Sequence, residues 1–180
     1  MNSLVKDSLI TLVLIAVLIL LLRLVVGIYS VIDSTMAPEL QIGDRLVINR
    51  LAYQYGAPQR GEVVCFKTSA LGSDHLGRII GIPGDILEIK DKMVYVNGIP
   101  LHESYLKNSP AYTLSAFQLA SNSYFLLEDN RSLTDDELAG RTVSRDYIQG
   151  LAWIYAWPPD RWGAVESYSI NQQLASAEVP

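Results

Sequence analysis

The segment Asp33-Ser34-Thr35-Met36-Ala37-Pro38-Glu39-Leu40 carries two hydroxyls between a long apolar run and Gly43-Asp44. A hydroxyl becomes a useful nucleophile toward a carbonyl when a positioned base takes its proton. Pro38 fixes its own φ and biases Ala37 toward extended backbone, so the segment is held open rather than helical. Standing where a membrane-length helix gives way to a soluble domain, the hydroxyl of Thr35 is expected close to a bilayer surface. Other reactive groups are few. Cys65 is the only cysteine, so no internal disulfide can form, and its apolar, strand-like surroundings read as burial of a small hydrophobe. His75 and His102 are the only histidines. They show no metal-ligand spacing, so no metal or other cofactor is expected.

The elements that must position Thr35 begin with the apolar run. Leu9 to Leu22 is broken only by Thr11; Arg23 interrupts, and Leu24 to Tyr29 continues. As a helix, Leu9 to Ile28 spans about 30 Å, the thickness of a bilayer core. Arg23 lies near the end, where its charge can snorkel outward. A cleaved signal has a shorter core with a small-x-small site close behind it, whereas Thr35-Met36-Ala37 comes late, so a retained anchor is the expectation. Residues 1–29 are read as a short stub and transmembrane anchor, 30–165 as one domain and 166–180 as a loose polar tail. The net charge of -5 and the absence of a basic run argue against a nucleic-acid partner.

After Gly43 the texture is that of a mostly β domain. Arg45 to Asn49, Glu62 to Lys67, Gly77 to Ile82, Ile86 to Ile89, Met93 to Val96, Tyr124 to Leu127, Arg141 to Val143 and Ile148 to Ala156 read as strands. Turns are signalled by Gly56-Ala57-Pro58, by Arg60-Gly61 and by Pro83-Gly84-Asp85, which has a type II signature. Asn97-Gly98 is the strongest hairpin signal. Leu101 to Asn122 is irregular, and little helix is expected outside the anchor.

In this order the blocks resemble the type I signal peptidases. That family shows an anchor, an S-M-x-P-T-L nucleophile motif, a G-D, an R-G-D/E strand, a K-R-x-x-G-x-P-G-D block, an N-G hairpin, a G-D-N-R block and a late W-P. Here stand Thr35 to Leu40, Gly43-Asp44, Arg60-Gly61-Glu62, Arg78 to Asp85, Asn97-Gly98, Asp129-Asn130-Arg131 and Trp157-Pro158. The resemblance implies a signal-peptidase-type β domain behind one transmembrane helix, in the membrane, single-pass, with the domain extracytoplasmic. It implies the lipid bilayer and signal peptides or preproteins as partners, with a membrane protein complex as a further one. It also implies that Met36 and Pro38 help bind substrate and that Arg78, Asp129, Asn130, Arg131, Thr134 and Asp136 support the site.

The chain departs from the pattern where the chemistry would be. Thr35 stands at the serine position, and Gly77 stands where the resemblance puts the general-base lysine. In such a dyad a lysine buried among apolar groups loses its charge and accepts the serine proton. Glycine can move no proton. Glu39, Glu128, Thr134 and Glu137-Leu138 are further departures. The expectation is a catalytically disabled relative that binds signal peptides or serves in a membrane complex. The alternative is an active endopeptidase using Thr35 with an unusual base. His75 is the candidate, two residues and about 6.6 Å before Gly77 on the same strand face if the strand reaches that far, though Gly72-Ser73-Asp74 suggests a loop there. Lys67 is a weaker one. Ser34 is off by one residue and points the other way in extended chain.

Overall fold

The computed structural model describes residues 3–70, 72–132 and 141–177. Helix α1, Ser3–Val25, is followed directly by strand β1, Val26–Ser30. Val5–Val25 is long and apolar enough to cross a membrane, with a mean hydropathy of 2.9. The helix therefore stops short of the expected Ile28. The residues past Val25 include β-branched Val26 and Ile28, which suit a pleated surface, and all five β1 residues pair with Arg45–Asn49. Arg23 falls in the last turn of α1, where a cation complements the helix dipole.

The remaining strands are β2 Arg45–Asn49, β3 Val63–Lys67, β4 Asp74–Gly81, β5 Ile86–Lys90, β6 Met93–Val96, β7 Ile99–Pro100, β8 Leu114–Gln118, β9 Ser123–Leu127, β10 Arg141–Ser144 and β11 Ile148–Trp157. They form an antiparallel seven-stranded sheet in the order β1-β2-β11-β3-β4-β9-β10 and a four-stranded sheet in the order β7-β6-β5-β8. The mostly β architecture behind an apolar helix is as expected. Asn97-Gly98 links β6 to β7 with both residues at positive φ, 54° and 81°, as a two-residue hairpin requires. Asp91 and Lys92 do the same between β5 and β6, at 52° and 62°, without the glycine that would have announced them.

Both faces of the large sheet are packed. Leu76 joins Met36, Leu40, Leu46 and Cys65 in one cluster, whereas Ile79 joins Val64, Phe66 and Leu126 in another. A third cluster fills the space between Ile80, Phe125 and Leu127 and the smaller sheet. It contains Ile170 and Leu174 of a second helix, α2, Ile170–Ala177. Within the tail expected to be loose from Glu166 onward, Ile170–Ala177 is thus a packed element. Its apolar spacing covers a single i, i+4 pair, too little for periodicity to register in sequence.

Two strand edges matter for the site. β1 ends the large sheet, with β2 as its only partner strand among the described residues. β9 pairs with β4 only from Arg78 onward, so Asp74 to Gly77 carry a described partner on the β3 side alone. Although β1 and β4 are far apart in sheet order, the Tyr29 hydroxyl reaches the Asp74 carbonyl at 3.4 Å. The sheet therefore curls until these two edges approach one another.

Candidate active site

Thr35 sits in the turn that follows β1. Its Oγ1 donates to Asp33 Oδ1 at 2.5 Å, and its backbone N–H donates to the same oxygen at 3.1 Å. Asn130 holds the turn from outside. Its backbone N–H donates to the Thr35 carbonyl at 2.8 Å and its Nδ2 to the Ser34 carbonyl at 3.0 Å. Met36 is 1% exposed and packs with Leu40, Leu46 and Leu76. Its side chain anchors the turn in the core. Pro38 is exposed and lines a cleft of about 340 Å3 with Ala37, Lys107, Asn108, Asn130 and Ser132.

Gly77 is buried in β4 opposite Val64 of β3. A Cβ there would lie 3.1 Å from Phe66 Cε1 and 3.3 Å from Leu126 Cβ and Cδ2. The direction a side chain would take is apolar and tight. His75 lies within β4, not in the preceding loop as expected, because Asp74 already pairs with Lys67 and His75 with Phe66. Its Nε2 is 3.0 Å from Ser73 Oγ, and its ring lies 5.8 Å from that of Phe66. Lys67 Nζ faces Asp74 Oδ1 at 3.8 Å.

The neighbourhood is acidic. Tyr29 is pushed up to about 12 by burial first and then by Asp33, Cys65, Asp74 and Glu128. Cys65 is buried as expected, and burial is the chief cause that pushes its thiol up to about 12.

The Thr35 turn and Gly77 are tied together through an ion pair. Arg78 follows Gly77 and is 0% exposed. It forks onto Asp129, Nε to Oδ1 at 2.9 Å and Nη2 to Oδ2 at 2.6 Å, and Asn130 is the next residue. Burial alone would weaken the Arg78 charge, but Asp129 outweighs it and raises the pKa, so the guanidinium stays ionised. Its Nη1 donates to the Gly61 and Glu166 carbonyls at 2.8 and 3.0 Å. The rings of Tyr105 and Tyr168 lie against it, 4.6 and 4.7 Å from Cζ to the ring centres. Arg131 makes a second buried fork, onto Glu103 at 2.6 and 3.1 Å.

Residues 3–157 match the family Signal peptidase, peptidase S26. The chain belongs to this family. The Probable signal peptidase I-1 of Synechocystis sp. is 32% identical over 175 residues, 92% of this chain and 89% of that protein. The Probable signal peptidase I-2 of the same organism is 38% identical over 137 residues, 73% of this chain. This chain spans 63% of the length of that second relative. A crystal structure of a signal peptidase I from Enterococcus faecalis is 27% identical and covers 53% of this chain and 96% of its own, with a TM-score of 0.43.

The blocks that resemble the signal peptidases touch one another in space. Arg60 of the R-G-E block forks onto Asp85 of the P-G-D block at 2.8 and 2.6 Å. Asn97 of the N-G hairpin donates to the same carboxylate at 2.9 Å. Gly61 is at φ +90°, and a Cβ there would come within 1.8 Å of the Tyr168 carbonyl oxygen, so only glycine lets the tail cross it. Thr134 and Asp136 lie outside the described residues, as do Glu137 and Leu138. Sequence reasoning missed Glu103, Tyr105 and Tyr168. They come from the irregular loop and the tail, where no local pattern marks them.

Proposed function

We propose that this chain is a membrane-anchored signal peptidase relative that holds signal peptides in extended form without cleaving them, on its own or as a subunit of a membrane complex. α1 is its single-pass anchor and the β domain is extracytoplasmic. The observation that carries the reading is the pairing of the Thr35 hydroxyl with Asp33 while Gly77 places no amine where the resemblance requires one. A hydroxyl without a base loses most of its rate; in triad enzymes what remains is roughly 10³- to 10⁴-fold over water. Binding needs only strand edges and pockets. The edge of β1 leading into Thr35 and the half-open Asp74–Gly77 edge of β4 offer such a track.

The second reading is an active endopeptidase, favoured by the relatives named as signal peptidases. It needs Thr35 and a base such as His75, whose Nε2 lies against Ser73 Oγ. Incubating the purified protein in detergent with a preprotein, and mapping the products, separates the two. The expected result is retained, uncleaved preprotein. Cleavage at the signal junction would overturn the non-catalytic reading, and no binding would overturn the peptide-holding role.

A further inference from the structure

The cleft beside Pro38 has an electrostatic character that the Thr35 turn lacks. Its walls come from three places: Ala37 and Pro38 of the turn, Lys107 and Asn108 of the loop between β7 and β8, and Asp129, Asn130 and Ser132 after β9. The acceptors at this rim are largely taken. Both Asp129 oxygens are held by Arg78. Asn130 Oδ1 accepts from the Ser132 N–H at 3.3 Å, and Ser132 Oγ accepts from Asn108 Nδ2 at 2.5 Å. Glu103, the acid on the Lys107 loop, is committed to Arg131 and to the Tyr105 hydroxyl. Among the described residues, donors are left in surplus at this rim. Lys107 is exposed, and none of the ion pairs among the described residues includes it. Having accepted from Asn108, the Ser132 hydroxyl retains its own proton to give.

We propose that this cleft is a subsite for an acidic side chain of the bound peptide. Lys107 provides the charge and Ser132 a hydrogen bond. The position follows from the fold. β1 leads into Thr35, whereas Ala37 and Pro38 follow it, so a peptide whose upstream residues lie along β1 brings residues beyond the Thr35 position to this cleft. The ligand is thus a carboxylate among the first residues of the mature segment. This subsite rests on the peptide-holding role proposed above.

The test is fluorescence-anisotropy binding of peptides spanning a signal-peptide cleavage region to the full-length protein in detergent. Asp, Asn and Lys are placed in turn at each of the first residues on either side of the junction. Asp at one downstream position should bind about fivefold tighter than Asn, the scale of a partly exposed charge-assisted contact. The gain should shrink as salt is raised, disappear in Lys107→Met and survive in Lys107→Arg. Binding with no Asp preference, a preference confined to upstream positions, or one that persists in a folded Lys107→Met protein would overturn the subsite and leave the peptide-holding role standing. Failure of every peptide to bind would overturn both.

Discussion

Oγ1 of Thr35 donates to Oδ1 of Asp33, two residues earlier, at 2.5 Å. That carboxylate also takes the Thr35 N–H, so the side chain closes a local turn. The prediction is that Thr35→Ala leaves cellular function intact and costs no more than about 1.5 kcal/mol of stability, the net worth of a typical hydrogen bond. Complementation in a deletion strain, with protein level checked by immunoblot, measures it. Lost function at normal abundance would return Thr35 to chemistry.

Arg78 and Asp129 form the mechanical link between β4 and the Thr35 turn. Both side chains are fully buried and forked onto each other. Removing one partner of such a pair leaves an uncompensated buried charge and costs about 3–5 kcal/mol. Asp129→Ala should therefore lower the urea midpoint strongly and release Asn130 from Ser34 and Thr35. The double variant Arg78→Met/Asp129→Ala should recover part of the loss, as a double-mutant cycle would show.

Much of this scaffold was legible because the motif letters are the contacts. Arg60, Asp85 and Asn97 stand far apart in sequence but share one carboxylate. Arg78 and Asp129, both read as supporting residues, proved to be each other's partner. A motif letter does not say which way a side chain faces, and the Met36 side chain faces the core. The end of α1 was misplaced since Val26 and Ile28 are apolar in either helix or strand; pairing with β2 decides between them. The α2 helix and the Tyr105–Tyr168 clamp were invisible because they are specified by tertiary burial, not by local pattern.

Asp85 predicts a pH dependence. Burial alone would raise its pKa, but Arg60, the Ile82 N–H and Asn97 outweigh it and hold the carboxyl below its usual range. A group depressed in the folded state contributes stability that is present above its unfolded value, near pH 4, and is lost as pH falls through the folded value. Stability of the wild type should therefore fall more steeply below about pH 4 than that of Asp85→Asn, which should already be weaker at neutral pH. Urea titrations at a series of acidic pH values compare the two slopes.

The route of the chain out of α1 predicts a membrane-facing surface. β1 starts without a linker, and on its outer face Ile28 is aligned with Val47 of β2, which is aligned in turn with Ile154 of β11. Ile32, Trp157 and Trp162 are 77%, 53% and 69% exposed, and tryptophan favours the headgroup zone. Lipid vesicles should shift tryptophan emission to the blue, and Trp157→Ser with Trp162→Ser should reduce the shift. Protease added to intact spheroplasts should digest the domain. A protected domain would refute the extracytoplasmic placement.

The last prediction is repair. If only the reacting groups are missing, Thr35→Ser with Gly77→Lys should yield weak cleavage of a signal-peptide substrate, and either change alone should yield none. Groups that act as a unit are strongly non-additive. The new lysine meets Phe66 and Leu126 first. Those neighbours must give by a few tenths of an ångström, so a fall in melting temperature should accompany Gly77→Lys. Their apolar surfaces would lower the amine's pKa by desolvation, whereas the acids around Tyr29, Asp33, Asp74 and Glu128, would hold the amine charged if it reaches them. Adding Glu128→Gly should therefore increase the rate and move its rise to lower pH, because a neutral-lysine base works only above its pKa. A folded triple variant that binds the peptide yet cleaves nothing at any pH would mean that the geometry around Thr35, and not the two side chains alone, has left catalysis behind.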